Sequence, residues 1–292
     1  MSQFKKHVKK IWIVAAAVLL IVGSTSAMAY ALNSAVPGTA LNDAVTSAPA
    51  VSLPSQAPGQ TALSQPLYTV DDRSTQLMDF EQFKNEVKMK MQITKQQLTP
   101  EQIEKIYEDY ITSATPGDKD MTADQAAARG AALVQTAYGV DLAGYTAVAS
   151  FSKSPLPYSD NWSILFHAPD ETDSSNRYIA DINSVTGAIL DIGCFNLDYT
   201  EIVSKDVQDP DWIATAERDI AKLLPSGVTI TGSKVVYATE NVGVTVVCAL
   251  SDGSAFAVRL AGDGKAAQVY VNFPNGYDGS LDYKPLSEDA VG

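Results

Sequence analysis

The sequence predicts an α+β fold: two small units, each with one helix packed on an antiparallel sheet, preceded by a helical pair. Three observations lead there. Capped amphipathic helices recur along the chain, the last two are each followed by short alternating apolar runs, and Thr-Gly or Asp-Gly turns separate those runs. The 292 residues divide accordingly into 1–29, a leader; 30–72, a Pro/Ala/Ser-rich disordered spacer; 73–118, the helical segment; 119–198 and 199–284, the two α+β domains; and 285–292, a tail.

The leader opens with the basic MSQFKKHVKK, continues through the apolar run Ile11 to Val22 and ends in Ala27-Met28-Ala29. That order is the composition of a secretory signal peptide, with cleavage expected after Ala29. An uncleaved anchor is the alternative. It needs roughly 17 to 25 apolar residues, which residues 11–31 supply only if the uncharged stretch after Val22 extends the run. Either reading makes the chain extracytoplasmic, secreted or tethered to the outer face of the cytoplasmic membrane, and membrane contact runs only through residues 11–31 if they are retained. The spacer has repeated prolines and no Lys or Arg between Tyr30 and Pro66, so it cannot bury enough apolar surface to fold.

Leu77, Phe80, Phe83 and Val87 recur at helical spacing, and Thr99-Pro100-Glu101-Gln102 combines an N-cap, a first-turn proline and a capping-box Gln to open a second helix through Ile103, Ile106, Tyr107 and Tyr110. Met78, Met89, Met91 and Met121 are scattered along this part of the chain as gap-filling core residues. Thr122, with Gln125 three residues on, caps the helix of the first domain. Its Ala126, Gly130, Leu133 and Ala137 form a face of small side chains suited to close approach to a sheet, and Gly139 ends it. Strands are expected at Tyr145 to Phe151, Trp162 to His167, Arg177 to Asn183 and Ala188 to Ile192. The second domain repeats the order: Asp209-Pro210 caps a helix carrying Ile213, Ala216, Ile220 and Leu223, with strands at Ser233 to Ala238, Val242 to Leu250, Ala255 to Leu260 and Ala267 to Asn272.

A net charge of −13 disfavours nucleic acid and anionic lipid as partners. Catalytic chemistry finds little material. His7 lies in the leader and His167 ends a strand, which leaves no pair of histidines for zinc and no triad. There is no nucleotide-binding glycine loop, no Gly-x-Ser-x-Gly and no His-Glu-x-x-His. The acidic groups Asp170, Glu171, Asp173 and Asp206, Asp209, Asp211 lack the ligand spacing of a calcium loop and read as solvated loop charge. No residue is therefore nominated as catalytic, cofactor-binding or metal-binding, and the chain is expected not to be an enzyme. Cys194 and Cys248 are a candidate disulfide, although Cys248 also fits a buried small hydrophobe in the alternation Val244, Val246, Cys248, Leu250.

The hairpin from Tyr178 to Ile189 carries one further signal. Tyr178, Asp181 and Asn183 run into Thr186-Gly187 and Ile189, a polar turn in which Gly187 can take a positive φ. Together with the capped Ala-rich helix and the Trp162-led strand, this hairpin resembles the PepSY domain over residues 122–192. From Cys194 onward the likeness lies in element order alone, because Asp263-Gly264-Lys265 stands where the Thr-Gly turn would be. The resemblance implies a bacterial extracytoplasmic binding module, with a protease as its partner, since PepSY units occur in the propeptides of thermolysin-like metalloproteases. The alternative is a membrane-tethered structural or signalling module of the cell envelope.

Overall fold

The computed structural model describes residues 67–95, 97–154, 160–197 and 203–282. The apolar run of residues 11–31, most of the spacer, residues 283–284 and the tail lie outside that range. Among the described residues no helix is long and apolar enough to cross a membrane. The chain is mixed helix and sheet and separates into two compact units, one holding residues 78–111 and the other holding residues 66–77 and 112 onward.

The smaller unit contains helix α1 (Phe80–Thr94) and most of helix α2 (Pro100–Ala114). Asp79 and Gln82 cap α1 reciprocally, and Thr99 and Gln102 do the same for α2. Phe83, Val87, Ile103, Ile106 and Tyr110 are buried between them, with the Phe83 and Tyr110 rings stacked at 5.3 Å. Met89 is 60% exposed, which corrects its expected place in the core.

The larger unit is built on a nine-stranded sheet in the order β1-β2-β3-β4-β5-β9-β8-β7-β6. Its first half comprises helix α3 (Ala123–Tyr138) and strands β2 (Thr146–Ser152), β3 (Asn161–His167), β4 (Arg177–Asn183) and β5 (Ile189–Phe195). The second comprises helix α4 (Asp211–Ala221) and strands β6 (Ile230–Thr239), β7 (Gly243–Leu250), β8 (Ala255–Ala261) and β9 (Ala266–Phe273). Each half is an antiparallel meander with one helix, as its sequence suggests. The two meanders join through their last strands, where Asp191, Ile192 and Gly193 of β5 face Val271, Tyr270 and Val269 of β9. The halves thus share one sheet. Strand β1 (Thr69–Asp72) pairs in parallel with β2, so residues 69–72 are structured and the spacer ends earlier than its expected boundary at residue 72.

Both helices pack on the same face of this sheet. Ile164, Ala180, Ile192, Tyr270, Val258 and Val246 lie in register across six strands and form one buried cluster with residues of α3 and α4. The small face of α3 fits closely: a Cβ on Gly130 would stand 3.3 Å from Ile164 and 3.4 Å from the Ala180 Cβ. Helix α4 instead fills its space with Trp212, fully buried beside Ala216 and Ile220. The expected face of α4, Ile213, Ala216, Ile220 and Leu223, packs on the core as read, and Trp212 joins it. The bulky indole, whose Nε1 donates to the Asp206 carbonyl, takes a core position.

Strand register relates the halves residue by residue. The pairing of Ile192 with Tyr270 places Ala180 and Ile164 in the first half where Val258 and Val246 stand in the second. The same relation equates a β-bulge at Leu190 with one at Gln268. It also equates Gly187 (φ +67°) with Lys265 (φ +50°) at the turn before it.

Candidate functional site

The sheet face opposite α3 and α4 differs between the halves. In the second half, Val247, Ala255 and Ala257 are buried there beneath the chain that follows β9, with Phe273, Tyr277 and Leu281 packed against them. That covering segment is tied down by the Phe273 and Tyr277 rings at 5.2 Å and by the Tyr277 hydroxyl, which donates to Asp282 and accepts from the Leu281 amide. A shallow groove of about 490 Å³ runs between Tyr277 and Gly232 to Lys234 on the outer strand β6.

In the first half the same face presents Leu165 and Ile179 as half-buried cross-strand neighbours, with Gly193 beyond them. Next to that row stand Ser163, Asp181 and Asp191, direct partners on β3, β4 and β5. The two carboxyl groups face each other across a strand pair, and Asp181 Oδ1 is shut off from solvent without a hydrogen-bond partner. Burial raises the Asp181 pKa, against the opposing effect of Ser163 and Asp191. The Asp191 carboxyl is pushed up to about 8, first by burial and then by the neighbouring Asp181 charge. Burial and the mutual repulsion of the two carboxylates thus both favour a protonated pair over two free anions.

At the far end of the same strands a second polar group forms. His167 Nδ1 lies 2.8 Å from Glu171, and Arg177 grips the other Glu171 oxygen with Nε and Nη2. Burial opposes ionisation of Glu171, but the hydrogen bonds from Arg177 and His167 prevail and hold its pKa below the usual carboxylate value. His167 is thus a strand-end residue in an ion network, and Glu171 is fully engaged. Asp209 is also engaged, accepting from Lys265 Nζ at 2.6 Å and from the Asp211 amide at 2.9 Å. Among the described residues no set of three or more His, Cys, Asp or Glu is placed to hold a metal ion.

The hairpin motif has mostly architectural work. Asn183 Oδ1 accepts from the amides of Val185 and Thr186 and from the Thr186 hydroxyl, while Gly187 closes the turn onto the Asn183 carbonyl. Arg129 of α3 then donates through Nε to the Gly187 carbonyl at 3.0 Å, tying the turn to the helix. Ile189 is core, and Tyr178 packs against the Tyr138 ring at 5.4 Å. Asp181 alone among these six has no role in the turn or the core. The proposed disulfide is corrected: Cys194 and Cys248 are both free. Cys194 is on β5 and Cys248 on β7, with β9 and β8 between them, so three strand steps of about 4.8 Å separate residues whose Cα atoms must approach within about 7 Å to bridge. Burial raises both thiols, that of Cys194 to about 11, which keeps them protonated and unreactive.

No family model, curated protein or solved structure matches the chain. The reading of the site therefore rests on its own geometry. Sequence reasoning missed Asp191. The available signal was two aspartates flanking one hairpin at positions that become opposite once the bulge at Leu190 is counted.

Proposed function

We propose that the chain is a non-enzymatic extracytoplasmic binding module of PepSY type, a divergent tandem repeat, that binds or restrains a separate protease of the bacterial envelope. The observation that carries this reading is the contrast on the sheet face opposite the helices, where the second half has its own cover and the first leaves Leu165, Ile179 and the aspartate pair uncapped by α3 or α4. A buried carboxyl pair costs folding free energy and does not serve the core, so its presence fits a recognition site. The hairpin motif supports the PepSY assignment, and the matching bulges and left-handed turn residues support the repeat.

The test is titration of the purified full chain into a thermolysin-like metalloprotease, with complex formation followed by size-exclusion chromatography and activity followed on a peptide substrate. A one-to-one complex with reduced proteolysis is expected. No complex, together with turnover of a peptide or ester by the chain itself, would overturn the reading. The basic and apolar leader ahead of a spacer favours a second reading, a membrane-tethered structural or signalling module. Retention of residues 1–29 in the mature protein, measured by intact mass, would select it.

A further inference from the structure

We propose that Asp181 and Asp191 hold one proton between them in the folded protein, and that its loss as the medium turns alkaline loosens the β4–β5 pair and the seam by which β5 joins the second half of the sheet. The inference stands whether or not the uncapped face binds a partner.

The geometry carries it. The two residues are direct cross-strand partners on one face, and Asp181 Oδ1 has neither solvent nor a hydrogen-bond partner. No salt bridge reaches either carboxyl among the described residues. The groups facing the pair from neighbouring strands are Ser163 on β3 and Val271 on β9, neither of which supplies charge. On β4 and β5 themselves the flanking residues on that face are Ile179 and Gly193. On the same face of the sheet, Arg177 is held by Glu171, and Arg259 stands on β8 opposite Val269. Beyond the sheet, Tyr138 of α3 places its hydroxyl near the carbonyls of Ile192 and Gln268 and stays neutral because burial raises it. Among the described residues no salt bridge in this shell compensates a second negative charge, and Ser163 supplies only a neutral hydrogen bond, so a proton is the counter-ion available.

The position makes the proton consequential. Asp191 is one of only three β5 residues paired with β9, and this is the strand pairing that closes the two meanders into one sheet. The sign of the effect follows from linkage. Folding raises the Asp191 pKa from 3.8 to about 8, so the folded state binds more protons than the unfolded state between those limits. The stabilisation is complete below the unfolded value, declines as pH rises through the window, and is gone above about 8.

The experiment is equilibrium unfolding of the full chain at each half pH unit from 5.5 to 9, for the wild type, for Asp191→Asn and Asp181→Asn, and for the double variant that carries both. These variants keep the shape and can donate the hydrogen bond that the proton supplied. The wild-type unfolding constant should rise by about tenfold per pH unit relative to the double variant between pH 5.5 and 7.5, and amide exchange at 191–193 and 269–271 should quicken with it. Carboxyl-carbon NMR of the wild type gives an independent reading should a variant fail to fold: one aspartate should titrate near 8. A double variant with the same pH slope as the wild type, or both carboxyl carbons titrating below 5, would overturn the proposal.

Discussion

The two halves of the large unit share a backbone plan and differ in what they do with the face away from the helices. Strand register puts Ser163, Asp181 and Asp191 of the first half in the places held by Thr245, Arg259 and Val269 in the second. On the helix side the equivalents are all apolar: Trp162 for Val244, Ile164 for Val246, Ala180 for Val258 and Ile182 for Leu260. The core side is therefore constrained by packing in both halves. The other side is constrained in the second half by its own covering segment and in the first by something that folding alone does not explain. A protein that tolerates a local violation of burial rules commonly does so where it works, which is why the proposed binding surface is placed on the first half.

Exchanging residues between equivalent positions sharpens this contrast. The largest effect is expected from Trp162, which is 1% exposed and donates from Nε1 to the Met121 carbonyl. Trp162→Ala should cost about 3–5 kcal/mol in denaturant unfolding, whereas Val244→Ala at the matching place should cost about 2 kcal/mol. Equal losses would remove the claim that the first half depends on close packing under α3. Next comes Gly243, with φ +97° and a notional Cβ only 2.1 Å from the Leu260 carbonyl oxygen. Its first-half equivalent is Asn161, so Gly243→Asn imports the other half's residue. A loss of about 3 kcal/mol or more is expected from the clash and the strained φ, and a neutral result would show that the two halves are interchangeable there. The smallest effect concerns the turns. Gly187→Lys should cost about 1–2 kcal/mol because a side chain must adopt the left-handed region. Lys265→Gly should change stability by less than about 1 kcal/mol, since relief of strain offsets the lost ion pair to Asp209.

The parts of this molecule that the sequence makes legible are those with local signals. Thr122 with Gln125 marks the start of α3 and Gly139 its end because capping chemistry is read within a few residues. The bounds of β4 coincide with the expected Arg177 to Asn183 because alternation and a strong turn frame it. What stays hidden depends on contacts between distant residues. Parallel pairing of Thr69–Asp72 with β2 and the join of Asp191–Gly193 to Val269–Val271 leave no periodicity of their own. The two-unit expectation could not anticipate one continuous sheet for that reason. The aspartate pair escapes notice for a related cause, because the bulge at Leu190 shifts the register by one residue and makes partners of two positions that simple counting puts out of step.

The most direct test of the functional contrast places a charge on each half and asks which one matters for binding. Leu165→Glu alters the uncapped face of the first half, and Val235→Glu alters an exposed position on the outer strand of the second, where Val235 is 41% exposed. Inhibition of a thermolysin-like metalloprotease would be measured for both full-length variants, with folding verified by circular dichroism. Leu165→Glu should abolish inhibition, with a loss of at least about tenfold in affinity, as expected for a central interface residue, while Val235→Glu should inhibit like the wild type. Inhibition that survives Leu165→Glu but is lost in Val235→Glu would contradict the assignment and move the binding surface to the second half.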